Sequence, residues 1–350
     1  MSSVMQQYLE HQANQIEAAL NAHGVAARVT GGLVTPAFVR FDLAPAPGTQ
    51  AGKIVNLAEE LARRPGLLHC QAAFGGRHNG TVRVEVPRDV PAQVHLLSLC
   101  RQLPAPIPSC TAVLGLEEEG IPLLLRLGSP ATAHVLIAGA ANSGKTALAR
   151  AMALSLVMLN RPSEVQLALI DSVADEEPGF AALAGAPHLA WPPATHAGAA
   201  VDLLQELVRL MERREQSAAS EPRVAVFVDD AAGLLSLCGD SVENRLAQLL
   251  RGGFAAGIHV VVCTGDATEA GVGGPAGAHF PVRLVGKVSS PGEARAASGL
   301  HGSGAEKLLG RGDFLLVTAK RGEVLRFQAA WIAPGEAGEA VSSLGSGASK

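Results

Sequence analysis

Residues Gly139 to Thr146 read Gly-Ala-Ala-Asn-Ser-Gly-Lys-Thr, the spacing G-x-x-x-x-G-K-[ST]. They lie between the apolar run His134-Val-Leu-Ile-Ala138 and the helix-forming run Ala147 to Leu159. A strand, a glycine loop and a helix in that order commit the chain to a unit whose loop folds back on itself. The glycines let successive backbone N–H groups point inward at phosphate oxygens, and the helix adds its positive dipole end. At this spacing Lys145 reaches the β and γ phosphates of a nucleoside triphosphate, and the Thr146 hydroxyl ligates Mg²⁺. The candidate nucleotide-binding residues are therefore Gly139, Ala140, Ala141, Asn142, Ser143, Gly144, Lys145 and Thr146, with ATP and Mg²⁺ as the expected ligands.

The rest of the composition bounds what such a loop can serve. With 350 residues, 48% hydrophobic and 17% charged, the chain has room for two domains and a sizeable core. Aromatic residues make up only 3%, so the core is built from Leu, Val, Ile and Ala, and few rings are left for stacking bases. The net charge of −4 means that any contact with nucleic acid is a local patch. Five widely spaced cysteines, Cys70, Cys100, Cys110, Cys238 and Cys263, form no C-x-x-C pair and read as reduced core residues. No signal peptide and no apolar run of membrane-spanning length is present, so a soluble, cytoplasmic protein without membrane contact is expected.

Along the chain, the first hundred residues read as a small α+β unit. Leu9, Ile16 and Leu20 mark one face of an opening helix that stops at Gly24, and Ala37 to Leu43 alternates as a strand does. Ile54, Leu57 and Leu61 suggest a second helix ending at Pro65-Gly66, and Val82, Val84 and Val86 a strand after the turn Asn79-Gly80. The proline-rich stretch Leu103 to Ser109 reads as a linker. From there to residue 334, buried strands alternate with longer helices, the signature of α/β architecture with a mostly parallel central sheet. The strand candidates are His134–Ala138, Val165–Ile170, Arg223–Val228, Ile258–Cys263, Pro281–Gly286 and Phe314–Val317, and Val201, Leu204, Val208 and Met211 stripe a helix between the second and third. The expected domains are thus 1–108 and 109–334, with 335–350 as a disordered tail lacking periodicity.

A phosphate loop needs an acid at the end of a neighbouring strand to hold Mg²⁺, and a base to orient the attacking water. Arg223-Val-Ala-Val-Phe-Val-Asp229-Asp230 supplies both, with Asp229 the metal acid and Asp230 the candidate catalytic base. Thr264, ending the next strand candidate, is a candidate sensor of the γ-phosphate, or equally a strand-ending turn. Arg295 has no local signature and, taken alone, reads as an exposed helix arginine.

Several segments together resemble the motor of the FtsK/SpoIIIE DNA translocases: the phosphate loop, Gly185-Ala-Pro-His188-Leu, Met211-Glu-Arg-Arg214, Ala256-Gly-Ile-His259-Val and Gly304-Ala-Glu-Lys-Leu-Leu-Gly-Arg-Gly-Asp313. The front unit, through Gln15-Ile-Glu-Ala-Ala-Leu, Val39-Arg-Phe-Asp-Leu and Ile54-Val-Asn-Leu, is similar to that family's α domain, and Leu114-Gly115 to Gly120-Ile-Pro122 to the start of its β domain. The resemblance implies a RecA-like P-loop NTPase domain and a homohexameric ring that hydrolyses ATP between subunits and pulls double-stranded DNA through its centre. It also implies that Arg295 is a catalytic finger offered to the neighbouring subunit.

Departures from the family pattern bear on rate and grip. Asp229-Asp230 stands where Asp-Glu is usual, which shortens the base by a methylene. Thr264-Gly265 stands for Thr-Gln, Phe254 for an arginine, and Ala294 for the serine before the finger. An insertion common after Arg214 is absent, and Gly265 to Ala278 has no basic residue. A motor with no membrane segments before it and no winged-helix domain after it is expected from the sequence. Two alternatives to a DNA translocase are a nucleotide-binding ring protein with weak or no hydrolysis, and a type VII secretion-like ATPase. The front domain argues against the second.

Overall fold

The computed structural model describes residues 3–61, 71–74, 82–88, 92–171, 179–266, 279–318 and 323–347. The expected turn at Asn79-Gly80, the helix end at Pro65-Gly66, Cys70 and most of the segment without basic residues lie outside them. The chain divides into two compact units, Met1–Ala92 with Glu118–Gly120, and Gln93–Glu117 with Ile121–Lys350.

In the first unit, α1 (Ser3–Ala22) is followed by β1 (Ala27–Val34), β2 (Phe38–Pro45), α2 (Ala51–Leu61), β3 (Gln71–Phe74) and β4 (Val82–Pro87). The strands form an antiparallel sheet in the order β1-β2-β4-β3. Period-2 alternation sends Val39, Phe41 and Leu43 of β2, with Val82, Val84 and Val86 of β4, to one face, where they bury Ile16 and Leu20 of α1 and Ile54 and Leu57 of α2. Gly24 ends α1 as expected, with φ +70° and its N–H on the Asn21 carbonyl.

The second unit contains β5 (Val94–His95), α3 (Leu96–Gln102), β6 (Thr111–Glu117), β7 (Pro122–Arg126), β8 (Val135–Ala138), α4 (Lys145–Leu159), β9 (Val165–Asp171), α5 (Ala197–Ser217), β10 (Arg223–Asp229), α6 (Ala231–Cys238), α7 (Asp240–Gly252), β11 (Ile258–Thr264), β12 (Val282–Gly286), α8 (Pro291–Ser298), β13 (Asp313–Thr318), β14 (Val324–Trp331) and α9 (Pro334–Gly347). Its sheet runs β7-β6-β14-β13-β12-β8-β11-β10-β9. The stretch from β12 to β9 is parallel, and β13, β14, β6 and β7 continue it as antiparallel neighbours.

Both faces of the parallel part are covered, which is why its strands are nearly unbroken apolar runs. On β10, Ala225 and Phe227 face α4, while Val224, Val226 and Val228 face α5, α6 and α7; β8 divides the same way, Val135 and Ile137 against Leu136 and Ala138. Every residue of α4 from Leu148 to Val157 is buried, and small residues at Ala149, Ala151 and Ala153 let it lie this deep.

Two boundaries differ from expectation. The first unit ends at Ala92, before the proline-rich stretch, because α3 buries Leu96 and Leu99 in the second unit's core and β5 pairs with β14. Residues 335–347 belong to a helix and not to a disordered tail: Ala337 and Val341 are buried and Leu344 packs beside them, a spacing of four and three amid glycine and serine. The cysteines Cys100, Cys110, Cys238 and Cys263 are free thiols, the second and fourth buried. No described helix is long and apolar enough to cross a membrane.

Candidate functional site

The phosphate loop joins β8 to α4 at the carboxyl end of the parallel strands, where α/β sheets place ligands. Asn142 at φ +60° and Gly144 at φ +101° turn the chain back, and the first helical hydrogen bond runs from Leu148 N–H to the Gly144 carbonyl at 2.9 Å. The amides of Lys145, Thr146 and Ala147 precede that bond, so the first turn presents donors and the positive helix end together. The loop leaves no room for side chains at its glycines. A Cβ on Gly139 would lie 2.7 Å from Ser143 Oγ, and one on Gly144 would lie 3.0 Å from the Gly312 nitrogen. Ser143 Oγ itself is buried without a hydrogen-bond partner among the described residues. Lys145 Nζ donates to the Ala140 carbonyl at 3.0 Å, folded along the loop it is expected to serve.

Asp229 ends β10, two strands away from β8 with β11 between. Thr146 Oγ1 donates to its Oδ2 at 2.7 Å, so the expected metal pair is brought together. Burial pushes the Asp229 carboxyl up from its usual range, and the neighbouring Asp171 adds to this; the Thr146 hydroxyl, the Asp230 N–H and Lys145 pull the other way. Burial lowers the Lys145 ammonium, against the opposing fields of Cys263, Asp229 and Asp230. The Cys263 thiol, fully enclosed, is held protonated first by burial and then by Asp229.

Asp171 was not singled out in the sequence, yet it ends β9 in register with Asp229 and its Oδ2 accepts from Phe180 N–H at 2.9 Å. The signal was available: like Arg223–Asp229, Val165–Asp171 is an apolar strand ending in an acid.

Asp230 adopts the left-handed region, φ +45°, at the start of α6, and its N–H bonds to Asp229 Oδ1 at 3.2 Å. Its carboxylate lies over Gly233, where a Cβ would come 2.2 Å from Oδ2. Thr264 takes the turn role: its Oγ1 donates to the Asp266 carbonyl at 2.6 Å and accepts the Asp266 N–H at 3.1 Å, while its own carbonyl receives Gly139 N–H. The hydroxyl proton is thereby engaged in the turn. Beside it, a Cβ on Gly265 would meet open space. Arg295 is exposed on α8, which packs through Ala294 and Ala297, and its side chain has no partner among the described residues. Phe254 packs edge-on against His259 at 5.9 Å, at the opposite end of the strands from the phosphate loop.

A second loop closes on the first. Arg311 N–H bonds to the Asn142 carbonyl at 3.3 Å and Gly312 N–H to the Ser143 carbonyl at 2.9 Å, while Ala140 N–H bonds to the Lys287 carbonyl at 2.8 Å. Gly310, Arg311 and Gly312 all have positive φ, +81°, +52° and +91°. For arginine this backbone costs about 1–2 kcal/mol. The buried Asp313 carboxylate fixes the turn, accepting Leu309 N–H at 2.8 Å and a bidentate pair of bonds from Arg326 at 2.9 and 2.8 Å.

A phosphate loop after an inner strand of a parallel sheet, with its threonine bonded to the acid of a nearby strand end, defines the fold as a RecA-like P-loop NTPase. The FtsK/SpoIIIE family profile matches residues 105–223, and the FtsK alpha domain profile matches residues 2–88. The chain is 29% identical over 358 residues to the DNA translocase FtsK of Sporosarcina ureae, an alignment covering 94% of this chain and 45% of that protein. The chain thus spans about half the length of the curated relatives it matches. Among solved structures, the cytoplasmic domain of the Thermomonospora curvata type VII secretion ATPase EccC is similar with a TM-score of 0.61 at 23% identity, covering 72% of this chain and 34% of that one. The pCW3 conjugation coupling protein TcpA, solved with ATPγS, has a TM-score of 0.60 at 14% identity and covers 95% of this chain and 99% of its own. These two likenesses bear on the fold alone.

Proposed function

We propose that this chain is a motor subunit that hydrolyses ATP and moves double-stranded DNA, acting in a homohexameric ring. The observation that carries the reading is the 2.7 Å bond between Thr146 and Asp229 at the mouth of a complete phosphate loop. The likeness to the FtsK/SpoIIIE motors supports the DNA substrate and the ring. The residues fit the ligands: the loop is wound so tightly that Cβ atoms at Gly139 and Gly144 would press on Ser143 and Gly312, and Thr146 and Asp229 are hard oxygen donors suited to Mg²⁺.

In this reading Gly139 to Thr146 bind the triphosphate, with Lys145 supplying the side-chain charge of the loop. Thr146 and Asp229 hold Mg²⁺, which when bound neutralises charge on the phosphates. Asp230 orients water, and Arg295, on the exposed face of α8, serves the site of the next subunit. Steady-state ATPase with and without duplex DNA tests the proposal. Turnover that requires Mg²⁺ and rises with duplex DNA supports it, and turnover indifferent to DNA contradicts it.

A further inference from the structure

Two exposed cations, Lys287 and Arg311, stand on the outer rim of the phosphate loop, and neither side chain has a hydrogen-bond or ion-pair partner among the described residues. Both are tied to the loop through their backbones, Lys287 by its carbonyl on Ala140 N–H and Arg311 by its N–H on the Asn142 carbonyl. They are also neighbours. The Cβ position of Gly310 lies 3.7 Å from Lys287 Cδ and 3.9 Å from the Asn142 carbonyl oxygen, so the lysine stem, the second loop and the phosphate loop meet at one point.

Arg311 sits where the backbone favours glycine, and both flanking residues are glycines in the same left-handed region. A strained residue persists where its surroundings over-determine it, and here the Asp313 anchor does so. What an arginine adds at such a position is its side chain, a planar fork suited to phosphate. The two flanks of β8 also differ. At the end of β11, Gly265 offers no side chain, whereas at the end of β12, Lys287 offers an ammonium.

We propose that Lys287 and Arg311 are further nucleotide-binding residues, engaging the phosphates of the nucleoside triphosphate held in the same subunit's loop. They add two positive charges to the one that Lys145 provides. The inference rests on the reading of residues 139–146 as a nucleotide site and assigns it a second, cationic wall.

Equilibrium titration of the full chain with a fluorescent non-hydrolysable ATP analogue tests it, using Lys287→Ala, Arg311→Gly and the double variant, with Lys145→Ala as control. Each single variant is expected to raise Kd about tenfold, the scale of a lost charge-assisted hydrogen bond, with a shallower dependence on salt. Arg311→Gly relieves the left-handed strain, so its melting temperature should equal or exceed the parent's while its affinity falls. A purely structural role would move both downward together and overturns the assignment for Arg311. Lys287→Ala alters an exposed side chain, so its Kd decides the outcome even should the glycine variant fold poorly: parental affinity there overturns the pair. If Lys145→Ala also binds as the parent does, it is the nucleotide-site reading that fails.

Discussion

Thr146 Oγ1 donates a hydrogen bond of 2.7 Å to Asp229 Oδ2, joining the first turn of α4 to the end of β10 past the intervening strand β11. The bond holds a carboxylate that burial and the adjacent Asp171 both disfavour as an anion. Asp229→Asn keeps an acceptor for Thr146 and removes the costly charge. It should leave thermal stability equal or higher, preserve nucleotide binding, and lower Mg²⁺-dependent turnover by about a hundredfold or more, the scale lost with one electrostatic group. Lys145→Ala should instead abolish binding or hydrolysis. Melting curves, nucleotide titration and ATPase on the two variants separate these effects.

The Asp230 carboxylate rests over Gly233, and the space beside Gly265 is open. Asp230→Glu should raise the ATPase rate, by up to the roughly 10² to 10⁴ credited to a well-placed base. A Cβ at Gly265 meets no described atom within 4 Å, and the double variant Asp230→Glu with Gly265→Gln should exceed the product of the singles if both side chains position one water. Gly233→Ala places a methyl 2.2 Å from the present position of Asp230 Oδ2. It should cut turnover about tenfold while nucleotide affinity holds and helix propensity improves by about 1 kcal/mol. ATPase rates unchanged across all four variants would show that Asp230 does not limit hydrolysis.

Two buried histidines predict an acid-sensitive fold. Burial lowers His134 to about 3 and His259 to about 4. His134 Nδ1 accepts Val260 N–H at 3.1 Å, and His259 lies between the Ala133 carbonyl and Arg223, so a proton on either ring meets a donor or a cation. Because the folded pKa values lie below the unfolded value near 6.5, the unfolded chain takes up protons first. Their contribution is complete above about pH 6.5 and is lost as pH falls toward about 4 for His259 and about 3 for His134, on the order of a few kcal/mol per ring. Urea unfolding at pH 7.5 and pH 5 measures the slope, and His134→Leu should flatten it even as it leaves Val260 N–H unpaired. A slope identical in parent and variant would refute the assignment.

Arg295 is exposed on a helix packed through its alanines, so Arg295→Ala should leave the subunit's fold and nucleotide affinity as they are. A finger acting on the next subunit is worth about 10³ to 10⁵ in rate. Mixing Arg295→Ala with Lys145→Ala subunits should then recover activity that neither shows alone. Mixtures as inactive as their components would place the arginine outside the reaction.

What the sequence made legible follows from burial and local chemistry. Strands β8, β10 and β11 are covered on both faces and read as apolar runs, and the loop and Asp229 announce themselves by type and spacing. Strand β14 was missed because Arg326 and Gln328 interrupt its pattern, although both contact the 309–313 loop in the fold. The left-handed backbone of Asp230, the turn that engages Thr264, and the approach of Arg311 to Asn142 from far along the chain are tertiary facts that no local pattern carries. The α9 helix was missed for the opposite reason, since a three-residue stripe among glycines and serines is a weak signal that packing completes.

The central claim is that ATP hydrolysis in this chain moves duplex DNA, and displacement of a third strand from a DNA triplex measures it directly. With ATP and Mg²⁺ the protein should strip the triplex-forming oligonucleotide from a linear duplex, and it should fail to do so with a non-hydrolysable analogue or as Lys145→Ala. A third strand that stays bound while the assembled protein consumes ATP on that same duplex would contradict the account.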